Sequence, residues 1–116
     1  MFWLIPPTDE NLLKYEEWIQ SEKVNDVFFG DMVDNCQRFD VPQGGTFFIP
    51  SGWIHGVYTA SDSIVIGGNF LHSFSIEKQL QVAHIEEVTH VHSSGIIAVN
   101  RICHYHIMQI NCFIAI

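Results

Sequence analysis

The sequence predicts a mainly β fold with flanking helices, as in part of an antiparallel barrel or jelly roll. Two observations favour this class. Several short apolar runs are separated by tight turn sequences, and helical spacing of apolar residues is confined to two segments. The chain has 116 residues, of which 47% are hydrophobic, so we expect one core and exclude general disorder.

The N-terminal elements follow from a proline stop and a helix cap. Residues Phe2–Ile5 form a short apolar run that ends at two prolines, which is typical of a buried strand. Thr8 is a favourable N-cap residue, and two acidic residues follow it where the helix dipole favours them. An amphipathic helix is therefore predicted over about 9–20, with its apolar side formed by Leu12, Tyr15 and Ile19.

Short strands and tight turns are predicted through the middle of the chain. A strand over Val27–Phe29 would precede a turn at Gly30-Asp31. The pair Gly44-Gly45 tolerates the positive φ angles of a tight turn, so Cys36–Val41 and Thr46–Ile49 are predicted to form a β-hairpin.

Two further strands and a helix complete the prediction. A Pro-Ser-Gly turn precedes a strand over Trp53–Tyr58, and Ile64–Asn69 is another predicted strand. Ser75 can cap a helix of about 76–87, whose apolar side we expect to be formed by Ile76, Leu80 and Ala83.

His55 is the most informative candidate for chemistry. Because side chains alternate along a strand, Trp53, His55 and Val57 should share one face. An imidazole among apolar neighbours must be hydrogen-bonded or metal-bound, since burying it unpaired costs roughly 1–3 kcal/mol. From the residues alone, a hydrogen-bonded core histidine and a metal ligand both stay open, whereas His84 in the last helix is expected to be solvated.

Charge and composition exclude several classes of function. The net charge is −8 and the five Lys/Arg residues are scattered, so no basic surface is expected to bind nucleic acid. The sequence contains no run of 18 apolar residues, so no membrane span is expected. The N-terminus lacks the basic region of a signal peptide. Three cysteines without framework spacing favour a reducing compartment, so we expect a soluble intracellular protein.

Four motifs occur in order along the chain: Phe2-Trp3-Leu4-Ile5-Pro6-Pro7-Thr8, Phe29-Gly30-Asp31, Phe48-Ile49-Pro50-Ser51-Gly52-Trp53-Ile54-His55 and Gly67-Gly68-Asn69-Phe70-Leu71-His72. Together they closely resemble the C-terminal half of the JmjC domain of histone lysine demethylases, over roughly residues 2–87. The residues Ser51, Tyr58 and Leu71-His72-Ser73-Phe74 favour the branch that carries CXXC and F-box modules, the lysine-specific demethylase 2 group.

The resemblance implies a cupin-like double-stranded β-helix that uses Fe(II) and 2-oxoglutarate to hydroxylate an N-methyl group, which leaves as formaldehyde. His55 matches the last of the three iron ligands, two histidines and one carboxylate. Gly67 and Asn69 match the strand that passes close to the methylammonium pocket. By resemblance, the substrate is the histone H3 tail methylated at lysine 36, and the location is the nucleus.

The chain also departs from the family. The H-x-D motif that supplies the first two iron ligands occurs nowhere in the sequence, and the lysine that pairs with 2-oxoglutarate would lie before Phe2. We therefore expect the chain to be inactive alone and to associate with itself through exposed sheet edges. Two alternatives stay open: a non-catalytic truncated isoform that acts as an interaction module, and a small cupin-like protein that binds another metal through His55 and tail histidines.

Residues 88–116 differ from the rest in composition. They contain none of the thirteen acidic residues, and we predict a divergent, poorly structured tail after a JmjC part of residues 1–87. Soft metal ligands are dense here: His90-x-His92, Cys103-His104-x-His106 and Cys112. This spacing matches no zinc-finger template, so the expectation is that the tail has no built metal site.

Overall fold

The computed structural model describes residues 1–21, 24, 26–70, 73–89, 104–107 and 110–115. Seven strands and two α-helices lie in this part of the chain. In chain order they are β1 (Phe2–Ile5), α1 (Asp9–Gln20), β2 (Gln37–Phe39), β3 (Thr46–Ile49), β4 (Ile54–Val57), β5 (Val65–Phe70), α2 (Ile76–Thr89), β6 (His104–Ile107) and β7 (Ile110–Ala115). Short 3-10 helices cover Phe29–Met32 and Ser73–Ser75.

The strands form two antiparallel sheets. A four-stranded sheet has the order β2-β1-β4-β6, and a three-stranded sheet has the order β3-β7-β5. This arrangement agrees with the predicted β-rich fold with flanking helices. The finer prediction, a cupin-like jelly roll, is not confirmed.

Helix α1 begins and ends at the residues predicted from the sequence. The Thr8 hydroxyl accepts a hydrogen bond from the backbone N–H of Asn11 at 3.2 Å, and the Asn11 side-chain amide donates to the Pro6 carbonyl at 2.9 Å. Both bonds fix the first turn, where backbone N–H groups have no partner within the helix. Leu12, Tyr15 and Trp18 are buried on one side of the helix.

Both helices pack on one face of the four-stranded sheet. The core between them, called here the helix-side core, consists of Ile5, Leu12, Tyr15, Trp18, Phe29, Val33, Ile54, Val82 and Ile85. Polar contacts also join the helices, since the Lys78 ammonium lies 3.5 Å from the Asp9 carboxylate and Gln81 donates to the same carboxylate at 3.3 Å.

Two local predictions differ from the structure. The predicted strand over Val27–Phe29 is absent, and Phe29 instead begins a 3-10 helix and is fully buried. The predicted hairpin between the second and third strands is wrong, because β2 pairs with β1 and β3 pairs with β7. The Gly44-Gly45 turn is present, with Gly44 at φ 76°, but the two strands it joins belong to different sheets.

The buried side of α2 also differs from the prediction. Val82 and Ile85 face the helix-side core, whereas Leu80 is 67% exposed and Ile76 and Ala83 are exposed as well. Apolar residues occur on both sides of this helix, so their spacing does not decide which side packs. The helix extends to Thr89, two residues beyond its predicted end.

Two strands lie in the tail that was expected to be poorly structured. β6 pairs with β4, and β7 pairs with both β3 and β5. The boundary after residue 87 and the divergent, poorly structured character of the tail both stay predictions. Among the described residues, no helix has the length and apolar character needed to cross a membrane.

We predict that Gly52→Ala destabilises the fold more than Gly44→Ala. Both glycines have positive φ, 78° and 76°, a conformation that costs other residues about 1–2 kcal/mol. A Cβ at Gly52 would also lie 2.8 Å from Cγ of Lys78 on α2, whereas a Cβ at Gly44 would meet nothing within 4 Å. Denaturant unfolding of both variants measures the difference in the free energy of unfolding. Equal losses would contradict the close packing of Lys78 against Gly52.

We predict that Glu86→Gln stabilises the protein above pH 7. Burial of this half-buried carboxyl raises its pKa from 4.5 to about 7. The unfolded chain therefore loses the proton first, and the free energy of unfolding should fall as the pH rises from about 4.5 to 7. With solvent screening, we expect a gain of about 1–2 kcal/mol at pH 8 and little at pH 4.

The matched control for that prediction is Glu87→Gln. Glu87 is the next residue of α2 and is exposed. Thermal unfolding of both variants between pH 4 and pH 8 should show a pH-dependent gain for Glu86→Gln alone. A similar gain in the control would assign the effect to overall charge.

Candidate functional site

A second apolar core lies between the two sheets, next to the candidate site. Its buried residues are Phe2 and Leu4 of β1 and Ile49 of β3, and we call it the inter-sheet layer. Partly buried side chains pack against it: Val41, Phe47, Trp53 and Val57. The rings of Phe2 and Phe47 have centroids 5.2 Å apart, which joins the four-stranded sheet to the three-stranded one.

His55 lies beside this layer and is 3% exposed. It lies on β4 directly opposite Leu4 of β1, so strand geometry puts both residues on the same face. Its neighbour Ile54 is in the helix-side core on the other face. The predicted common face of Trp53, His55 and Val57 is confirmed, because the other two residues pack in the inter-sheet layer.

The imidazole of His55 has a backbone partner close by. Its Nδ1 lies 3.3 Å from the carbonyl oxygen of Trp53. When Nδ1 carries the proton and donates to this carbonyl, the lone pair is on Nε2. That tautomer, held by a carbonyl, is the usual arrangement of a histidine that binds a metal.

A tight turn positions the start of β4. The N–H of Trp53 donates to the carbonyl of Pro50 at 3.3 Å, and Gly52 in the turn has φ 78°. Ser51 and Gly52 are both buried, so the turn is packed against the protein. The predicted role of the Pro-Ser-Gly sequence, a turn that leads into the strand of His55, is confirmed.

Gly67 and Asn69 lie on β5, and strand register relates them to the inter-sheet layer. Position 67 is opposite position 113 of β7, which is opposite Phe47 of β3. Position 69 is opposite position 111, which is opposite Ile49. Both therefore occupy the face of the three-stranded sheet that carries Phe47 and Ile49, and their role in binding a methylated lysine stays a prediction.

The structure describes only some of the histidines and cysteines of the tail. His90, His92 and Cys103 lie outside the described residues, as does His72. Residues 104 and 106 lie on β6, where position 106 is directly opposite His55 and position 104 is opposite Val57. The sequence offered no local signal for this pairing, because nearly 50 positions separate the two strands.

The other titratable groups in the described residues give less evidence of a functional site than His55 does. No group of three His, Cys, Asp or Glu side chains arranged to hold a metal occurs among those described. Burial and the nearby Asp31 carboxylate raise the pKa of the Cys36 thiol, which disfavours the reactive thiolate. His84 is exposed on α2, as predicted.

Comparison with known proteins identifies the class of the chain. It is 59% identical over 91 residues to lysine-specific demethylase 2B from Mus musculus and 60% identical over 91 residues to lysine-specific demethylase 2A from Xenopus tropicalis. With lysine-specific demethylase 7A from Homo sapiens the identity is 51% over 87 residues. These matches cover 75–78% of the chain, and no family model matches it.

Over 75–78% of its length the chain is therefore homologous to JmjC histone demethylases, in agreement with the resemblance of its motifs. Within them its relatives are the lysine-specific demethylases, with higher identity to 2A and 2B than to 7A. It spans only 7–9% of the length of these relatives.

We predict that Ile49→Ala lowers the free energy of unfolding by about 2–4 kcal/mol, whereas Phe48→Ala changes it by less than about 1 kcal/mol. Ile49 is fully buried in the inter-sheet layer, and Phe48, the preceding residue of β3, is 60% exposed. Denaturant unfolding measures both. A larger loss of stability for Phe48→Ala would mean that Phe48, and not Ile49, faces the core. That result would contradict the inter-sheet layer.

Proposed function

We propose that this chain carries part of an Fe(II)- and 2-oxoglutarate-dependent lysine demethylase domain, in which His55 is an iron ligand. The observation that carries the proposal is the position of His55. It is a buried imidazole within the segment that is similar to named lysine demethylases, and its Nδ1 lies beside a backbone carbonyl. Iron in this enzyme class activates oxygen for hydroxylation of an N-methyl group.

The described side chains do not fit a complete iron centre. A facial triad needs two histidines and one carboxylate around the metal, and no group of three such side chains is present in the described part of the chain. His55 supplies one ligand. We therefore propose that the chain alone does not demethylate lysine, and we derive no reaction step from it.

The substrate and location are proposed by resemblance. The lysine-specific demethylase 2 group acts on mono- and dimethylated lysine 36 of histone H3, so this is the substrate class we propose, with the nucleus as the location. Gly67 and Asn69 would line the methyl-lysine pocket. In support, both occupy the face of β5 that the register aligns with the inter-sheet layer.

Exposed apolar side chains support a second, non-catalytic role for the chain alone. Phe74 is 91% exposed and Leu80 is 67% exposed, and Ile76 between them is exposed as well. Surfaces of this kind promote association with protein partners. We propose that the isolated chain associates with itself through such surfaces, which would make it an interaction module.

A chimera tests the demethylase proposal. Residues 1–87 replace the matching segment of mouse lysine-specific demethylase 2B, and formaldehyde release is measured with Fe(II), 2-oxoglutarate and a histone H3 peptide dimethylated at lysine 36. We expect activity in the chimera and a loss of at least about 100-fold with His55→Ala, since losing even an outer-shell partner of a metal costs 10–100-fold.

His84→Ala in the same chimera is the matched control, because His84 is exposed on α2. It should leave formaldehyde release unchanged. A well-folded chimera that retains activity after His55→Ala would contradict the assigned ligand. Formaldehyde release by the 116-residue chain alone, abolished by His55→Ala, would contradict the proposed inactivity.

A further inference from the structure

We propose that β5 is the edge through which two copies of this chain pair, so that two three-stranded sheets join into one continuous sheet. The proposal rests on the self-association proposed above, and it names the surface that makes the contact. The feature that carries it is the position of β5. In the order β3-β7-β5, β5 pairs with β7 on one side, and no other strand of the described chain pairs with it.

The edge of β5 lacks the features that normally protect the edge of a sheet. Short length, charged residues and proline keep edge strands from pairing with other chains. β2, an edge of the other sheet, has only three residues and carries Arg38, whose guanidinium pairs with the Asp40 carboxylate at 3.1 Å. β5 has six residues, Val65–Phe70, with no charged residue and no proline. It is the longest edge strand of the two described sheets.

Apolar side chains are exposed next to this edge. Ile66 is 56% exposed, and Ile64, directly before the strand, is 61% exposed. Position 66 is opposite position 114 of β7, which is opposite Thr46 of β3, so Ile66 lies on the face of the sheet away from the inter-sheet layer. On the same face, a Cβ at Gly68 would meet nothing within 4 Å. This face of β5 therefore has room for a partner strand and its side chains.

The sequence of β5 fits antiparallel pairing with an identical strand. Directly opposed residues lie on the same face of a sheet, so the two-fold axis of such a pair passes through one residue and its copy. The two registers that keep most of β5 paired place this axis at Gly67 or at Gly68. Identical side chains would otherwise meet there, and glycine has none. In the register centred on Gly67, Ile66 of each copy is the diagonal neighbour of Ile66 in the other, which covers apolar surface that is exposed in the single chain.

The charge of the chain favours this place for a contact between copies. Each chain has a net charge of −8, so two copies repel one another except where charged residues are absent. No Asp, Glu, Lys or Arg occurs between Asp62 and Glu77, and β5 lies within this stretch. β3, the other edge of the same sheet, has four residues and is followed directly by Pro50. A two-fold contact of β5 uses this edge in both copies, so the assembly closes as a dimer.

Analytical ultracentrifugation of the purified 116-residue chain over a range of concentrations tests the proposal. We expect an equilibrium between monomer and dimer and no larger species. Ile66→Lys should raise the dissociation constant of the dimer at least about 10-fold, because a symmetric contact brings both new charges close to the axis. Phe48→Lys is the matched control, since Phe48 is 60% exposed on β3, the other edge of the same sheet. It should leave the dissociation constant unchanged.

Hydrogen exchange of the unmodified chain locates the contact without any substitution. Amide groups of β5 that point away from β7 gain a partner strand in the dimer, so they should exchange more slowly as the chain concentration rises. The amide groups of β2 should show no such dependence. A dimer in which the exchange of β5 is independent of concentration would overturn the proposal, even if Ile66→Lys does not fold.

A third variant separates this contact from the self-association on which it rests. Leu80 is 67% exposed on α2, and Leu80→Lys should leave the dimer intact. A dimer that is lost with Leu80→Lys but not with Ile66→Lys would overturn the β5 contact and support association through α2. Larger assemblies that both Ile66→Lys and Phe48→Lys reduce would overturn the two-fold contact in favour of open-ended pairing of sheet edges. A chain that stays monomeric at every concentration would overturn the contact and the self-association together.

Discussion

The site depends on the position of β4 in the middle of the four-stranded sheet. β1 and β6 flank this strand, and both of its faces are covered, with Ile54 in the helix-side core and His55 beside the inter-sheet layer. A polar ring in this position cannot rely on water, so its hydrogen bonds or metal bonds must come from within the protein. Each chemical role proposed for the chain follows from this burial.

Features of the fold that depend on neighbouring residues could be predicted from the sequence. The Thr8 cap, helix α1 and the common face of Trp53 and His55 are each determined within a few positions of the chain. The hydrogen bond from Asn11 to Thr8 spans three residues, and alternation along a strand spans two. For these elements, local chemistry and the final packing agree.

Features that depend on distant partners could not be predicted in the same way. The Gly44-Gly45 turn forms, but β2 pairs with β1 and β3 pairs with β7. Both partners are far away in sequence. On α2, apolar residues occupy two sides of the helix, and packing against α1 and the sheet selects Val82 and Ile85. Local periodicity has no information about either choice.

The composition of the chain changes at residue 88, but strands from before and after this residue pair within the same sheets. Among the described strands, β3 and β5 pair only with β7, so Ile49 of the inter-sheet layer lies on a strand whose sheet partner comes from the tail. Backbone pairing makes few demands on side-chain composition beyond a preference for apolar and β-branched residues, and the sequence of Ile110–Ala115 is mostly apolar. The tail therefore contributes a strand to each sheet, β6 beside His55 and β7 behind Ile49. For this reason, the strands next to His55 come from both the demethylase-like segment and the tail.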